Sequence, residues 1–411
     1  MHKTARPRSP NEGRETAVPA KPVRPLERHR KRRLRTRSPA RRYVELALAL
    51  GEHVDELILI SQAPWPAPER SRAEIAAGLE ELLADLGNVE DEPRRGWLEA
   101  QTRALLTVAR EDELPFEDEV RACFGVEPRP IEEAELRAAH ELLDEVLPGE
   151  GALADRYQRW LAVSEVVSDE VPAVLGEVAG WFRECTGAFV GLPDGEEIEI
   201  EVVTGERWVA FSRYLGDLRS RFSYNADLPL PAVDIPHLVA HEAYPGHHTE
   251  DVWKDVELVR AQARVELTIF TSVGIQPVIA EGIAQLGAEL LAGEESHEVV
   301  ARALDGRYDA EVGARVAQGR RVLSELSVNL ALLRGRGAGH DELLEYARAW
   351  SLQPPERVER MVKGAETRPF PGGVFCYTEG LRLCREFAGD DAARFKRLLT
   401  EQLAMPDLRV R

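Results

Sequence analysis

Four of the chain's ten histidines fall within twelve residues, at His237, His241, His247 and His248. Even spacing would put about 0.3 of a histidine in a window of that size. The run reads His237-Leu238-Val239-Ala240-His241-Glu242-Ala243-Tyr244-Pro245-Gly246-His247-His248-Thr249-Glu250. Pro245 has no N–H to donate to the carbonyl of His241, and Gly246 readily leaves helical geometry. The fold must therefore bring a helix into this run, break it at Pro245-Gly246 and leave several imidazoles close together.

A lone histidine on a helix is usually a hydrogen-bonded polar side chain. Four beside a glutamate, around a Pro-Gly step, point to a metal site. Zinc takes neutral imidazoles whose lone pairs converge. In an HExxH helix, two histidines four residues apart share a face, and the intervening Glu sits beside the metal-bound water. Here the position four after His241 is Pro245, with His247 six and His248 seven residues on. On an unbroken helix His248 would share the face of His241; with the helix broken, periodicity leaves both open as the second ligand. The third candidate is Glu281, in Ile279-Ala280-Glu281-Gly282-Ile283-Ala284. It interrupts an apolar stretch, where a carboxylate is costly unless paired or metal-bound. Gly282 and Ala284 would let its helix approach the histidine helix closely.

Charge narrows the partners. The chain carries 53 Lys+Arg and 72 Asp+Glu, a formal −19. Residues 1–42 hold 15 Lys/Arg and 3 Asp/Glu, a local +12, which leaves −31 on the remainder. So acidic a body repels phosphate backbones, making nucleic acid an unlikely partner of the folded part. The basic segment, with Arg28-His29-Arg30-Lys31-Arg32-Arg33, reads as a disordered arm over 1–42. Cys123, Cys185, Cys376 and Cys384 form no CxxC, which excludes a disulfide scaffold and a thiolate metal cluster. The longest uncharged run considered, Leu267 to Ala280, is too short to span a bilayer, so no membrane partner is expected. With no apolar signal core after the basic start, the expectation is a reduced, cytoplasmic protein.

From residue 43 to 411 the pattern is mostly α, read as one domain with a helical lobe about 43–190 and a sheet-and-metal lobe about 191–411. Tyr43, Leu46, Leu50, Val54 and Leu57 recur at helical steps. Further helices are expected near 71–87, 92–110, 132–147, 152–164 and 168–187. Glu197-Ile198-Glu199-Ile200-Glu201-Val202 then alternates as a half-buried strand, with two more at Trp208 to Tyr214 and Arg219 to Tyr224. One small antiparallel sheet thus precedes the histidine helix. Helices follow near 234–244, 275–292, 296–335, 339–350, 355–366, 374–388 and 390–403.

The run His241-Glu242-Ala243-Tyr244-Pro245-Gly246-His247-His248 resembles the HExxPGHH signature of the bacterial domain-of-unknown-function family 885. Ala280-Glu281-Gly282-Ile283-Ala284 resembles that family's EGWA-like motif, with Ile283 where Trp is usual. Arg221-Phe222-Ser223-Tyr224-Asn225 resembles its strand-end element, and Pro371-Gly372-Gly373-Val374-Phe375-Cys376-Tyr377-Thr378-Glu379-Gly380 its C-terminal element. Departures occur at Glu250, where Gln is common, and at Val374, where a small residue is usual. The family is regarded as a group of predicted zinc metallopeptidases, similar in plan to Taq-type carboxypeptidases. The resemblance implies a large multi-helix metallopeptidase-like fold and one zinc ion on His241, His247 and Glu281, with Glu242 as general base. It favours His247 over His248. Tyr377 or His248 would donate to the oxyanion, and His237 would lie behind the ligands or on the surface. The strand edge near Asn225 would receive the peptide, with Arg221 and Asn225 as substrate-binding candidates and Arg213 or Arg219 as alternative clamps.

The resulting expectation is zinc-dependent hydrolysis of short peptides. The alternatives are a zinc hydrolase of a non-peptide amide or ester, and a metal-binding helical scaffold without catalysis. No sequence feature bears on oligomeric state.

Overall fold

Helix start signals set the first elements. In the computed structural model, which describes residues 38–206, 208–367 and 370–409, Ser38 caps helix α1 (Pro39–Gly51) and Pro39 occupies its first turn. The helix therefore begins inside the segment expected to be a basic arm. Arg42 there pairs with Asp85, and Arg41 with Glu45. The rest of that arm, residues 1–37, lies outside the described residues. Ser38–Arg411 forms one compact unit.

A short strand β1 (Ile58–Ser61) leads to α2 (Arg72–Asp85), opened by a Ser71–Glu74 capping box, and to α3 (Glu92–Arg110). Next come α4 (Phe116–Phe124), α5 (Glu133–Val146), α6 (Leu153–Val163) and α7 (Val171–Phe189). Strands β2 (Glu197–Val203), β3 (Ala210–Gly216) and β4 (Arg219–Asn225) form a three-stranded sheet in the order β2-β4-β3. This is the small sheet expected before the histidine helix. Its β3–β4 hairpin is antiparallel, but β2 joins β4 in parallel. The reason is topological: β2 is separated from β4 by a whole strand, so it reaches the far edge running the same way.

The histidine run supplies α8 (Ile235–Glu242) and α9 (His247–Lys254). Strand β5 (Ile269–Thr271) pairs antiparallel with β1 across some 200 residues of chain, a second sheet that local pattern did not disclose. The C-terminal half holds α10 (Ile275–Leu291), α11 (Glu294–Ala303), α12 (Ala310–Ser324), α13 (Leu326–Gly335), α14 (His340–Trp350) and α15 (Pro355–Thr367). It ends in α16 (Phe375–Ala388), α17 (Ala392–Thr400) and α18 (Met405–Leu408). The single helix expected over 296–335 is three. Asp305 and Gly306 take left-handed conformations, and Asp309 caps a fresh helix by accepting from Val312 N–H.

Three apolar cores form among the described residues, the smallest of them between α13, α14 and α15 around Leu330, Leu343 and Val358. Of the two larger, the first gathers α1 to α4 against α10, α16 and α17; the second gathers α5 to α7, β4, α8, α11 and α12. Helices α8 and α10 pack against each other, yet Val239 and Ala240 of α8 belong to the second core and Ile279 and Ile283 of α10 to the first. Residues that these two helices direct at one another thus meet at the seam between cores.

Candidate metal centre

His241 and Glu242 are the last two turn-forming residues of α8, and His247 is the first residue of α9. Between them the chain doubles back through a cis Tyr244–Pro245 peptide. Gly246 N–H donates to the carbonyl of Ala240 at 2.9 Å. A Cβ on Gly246 would lie 1.8 Å from the carbonyl oxygen of His241, so only glycine permits the chain to fold so tightly onto the helix end. This reversal brings His247 back to His241, their rings edge to face with centroids 4.7 Å apart. Glu281 arrives from α10: its Oε2 lies 3.2 Å from His241 Nε2, and its Oε1 3.7 Å from His247 Nε2. One candidate ligand atom from each of the three lies within 4.8 Å of the others.

The electrostatics suit a cation. Burial pushes the His241 imidazole down to about 4 and lowers that of His247 too, so both rings are neutral and offer lone pairs. Burial raises the Glu281 carboxyl. His241 Nδ1 and Glu281 Oε2 are buried without a hydrogen-bond partner. Orphaned polar atoms of this kind are costly in a protein interior unless a further partner completes them, as a cation would at the Glu281 carboxylate. Two imidazole nitrogens and a carboxylate are a donor set that zinc accepts, with room left for a water.

Glu242 stands beside the trio. Its carboxyl receives the backbone N–H of Ser212 from β3, while burial and then the charge of Glu281 push it up to about 8. Tyr377, on α16, is 41% exposed, and its ring stacks over His241 at 6.2 Å and 15°. His237, one turn before His241, has its ring 5.8 Å from it, is partly exposed and is not a member of the His241-His247-Glu281 group.

Three expected site residues have their polar groups engaged by other partners. Both ring nitrogens of His248 are engaged, Nδ1 with Ser220 Oγ at 2.8 Å and Nε2 with Glu196 Oε2 at 2.9 Å. It therefore has no donor left for an oxyanion. Asn225, 1% exposed, spends its amide on the carbonyls of Glu206 and Trp208 and accepts from Asp227 N–H, so it shapes its own turn. Arg221 pairs with Glu199 and Glu201 of the neighbouring strand. It sits on β4, the central strand, so the sheet edge beside Glu242 belongs to β3. Gly282 also differs from expectation: it faces Gly380 of α16, while Gly287 packs on Pro245 of the histidine turn. Ser212, Glu196 and Tyr244 were not singled out in the sequence; nothing in the neighbours of Ser212 and Glu196 marks them, and only Tyr244, inside the histidine run, could have been found from its place there.

No protein-family model matches the chain, and no curated protein sequence does either. Solved structures do. A protein from Colwellia psychrerythraea described as a "putative lipoprotein" matches with a TM-score of 0.51 at 14% identity, over 82% of this chain and 66% of that one. A "putative lipoprotein of unknown function" from Shewanella oneidensis matches at 0.45 and 12%, over 82% of this chain and 70% of that one. A Pyrococcus furiosus carboxypeptidase matches at 0.37 and 12%, over 88% of each chain. The chain thus spans just under two thirds of the Colwellia protein. That likeness defines a shared fold, a large mostly helical architecture with a small sheet. Among the described residues no helix is long and apolar enough to cross a membrane.

Proposed function

We propose that this chain is a zinc-dependent peptidase acting on short peptides, with His241, His247 and Glu281 as ligands and Glu242 as general base. The observation that carries this reading is the convergence of those three ligand atoms within 4.8 Å, two of the residues holding buried orphan atoms, with Glu242 alongside. The HExxPGHH resemblance supports the same assignment.

A zinc ion held there would supply Lewis acidity and a water whose pKa falls toward ~7. Glu242, held from the side by Ser212 N–H, takes the proton of the attacking water and passes it to the leaving amine. Tyr377, over the ring of His241, donates to the carbonyl oxygen as it gains charge. An extended peptide would lie along the edge of β3 beside Glu242, a mode that reads main chain and tolerates varied side chains.

The test is metal analysis and product identification by mass spectrometry on a mixed peptide pool, with wild type and Glu242→Gln. Both should carry about one equivalent of zinc, and the variant should lose ~10²–10⁴-fold in turnover. Hydrolysis retained in Glu242→Gln would sink the mechanism. Preferential cleavage of a non-peptide amide or ester panel would sink the substrate class.

A further inference from the structure

Outside the ligand cluster, a single buried carboxylate grips both flanks of the turn that joins His241 to His247. Glu196 lies just before β2, its side chain fully buried. Its Oε2 accepts the Tyr244 hydroxyl at 2.6 Å and His248 Nε2–H at 2.9 Å, and its Oε1 accepts Arg183 Nε at 2.6 Å. With Nε2 donating, His248 Nδ1 is the acceptor for the Ser220 hydroxyl of β4. Tyr244 and His248 are 1% and 0% exposed, and their rings meet edge to face at 5.0 Å. Tyr244 immediately precedes Pro245, and His248 immediately follows His247.

We propose that Glu196 is a positioning residue for the metal centre, selecting which member of the His247-His248 pair faces His241 and Glu281. The reasoning is rotational. Consecutive residues of a helix point about 100° apart. Tying His248 to Glu196 and Ser220 sets the rotation of the first turn of α9, and that turns His247 toward Glu281. The Tyr244 hydroxyl holds the other side of the reversal at the same carboxylate oxygen, so the two ligand-bearing helix ends share one anchor. An outer carboxylate of this kind usually binds a ligand's own ring. Here it acts on the neighbours of the ligands instead.

The inference rests on the metal-site reading, and the experiment separates the two. Full-length wild type, Glu196→Gln, Tyr244→Phe and the double variant are made metal-free and titrated with zinc against a competing chelator. The absorption of their cobalt(II) forms is recorded, together with near-ultraviolet circular dichroism of the apo proteins. A wild type that binds no zinc defeats the site itself. Given binding, Glu196→Gln should keep the wild-type apo spectrum, weaken zinc ~10–100-fold and alter the cobalt bands. The double variant should lose less than the product of the single losses, because both substitutions act on one anchor. Wild-type zinc affinity and cobalt bands in Glu196→Gln, or losses that simply multiply, would overturn the proposal. If Glu196→Gln does not fold, Tyr244→Phe removes only one hydroxyl from the same oxygen, and its zinc affinity and cobalt bands decide the question alone.

Discussion

Glu281 shows what the proposed metal role asks of one residue. It interrupts the apolar surface of α10; burial raises its pKa, and its Oε2 finds no hydrogen-bond partner. A buried carboxylate without a proton or cation beside it destabilises the fold that holds it. Glu281→Gln should therefore leave the melting temperature of the metal-free protein unchanged or higher, while zinc binding is lost. A clear drop in apo melting temperature would contradict a ligand role. Glu281 was legible in the sequence because a charge in an apolar run is conspicuous. Glu196 was not, since it stands in the acidic run Gly195-Glu196-Glu197 and looks like surface. His247 and His248 are the same residue type side by side, and only their surroundings distinguish them.

At the level of elements, α10, which carries Glu281, is held by a close helix crossing. A Cβ on Gly282 would lie 2.4 Å from the carbonyl oxygen of Gly380, and one on Gly380 would lie 2.2 Å from that of Val278. The backbones of α10 and α16 thus touch with no side chain between them, one residue from Glu281. Gly282→Ala should force them apart, costing roughly 1–3 kcal/mol by overpacking, and should weaken zinc binding by shifting Glu281. Chemical denaturation and chelator competition check both, and a variant as stable as wild type would refute the crossing. Periodic helices such as α3 and α10 could be read from sequence, because one buried face repeats every 3.6 residues. The pairing of β1 with β5 could not, nor could the parallel β2, because strand partners are chosen by tertiary contact rather than by local pattern. The nine-residue α4, short and flanked by Pro115 and Gly125, also escaped notice.

Across the whole molecule, stability depends on rings kept neutral inside the second core. His297 is 2% exposed, accepts the Tyr308 hydroxyl at Nδ1 at 2.7 Å, and is pushed by burial down to about 4. The unfolded ring, near its ordinary 6.5, takes up a proton first as pH falls. Its contribution is therefore fully present above pH ~6.5 and lost progressively toward pH ~4, by roughly 3 kcal/mol at most. Comparing urea unfolding of wild type and His297→Gln between pH 7.5 and 4.5 isolates that loss, and parallel pH profiles would refute it.

The sequence by itself determined the helical body, the place of the small sheet, the break at Pro245-Gly246 and the identity of the residues able to bind metal. Those follow from local chemistry: side-chain period, proline's missing N–H, and the donor atoms histidine and glutamate carry. Tertiary structure alone decided that His247 turns to Glu281 while His248 turns to Glu196, that β3 rather than β4 offers the edge beside Glu242, and that Asn225 serves its own turn. Each of those choices depends on which distant segment lies across from a side chain, and only the packed chain supplies that neighbour.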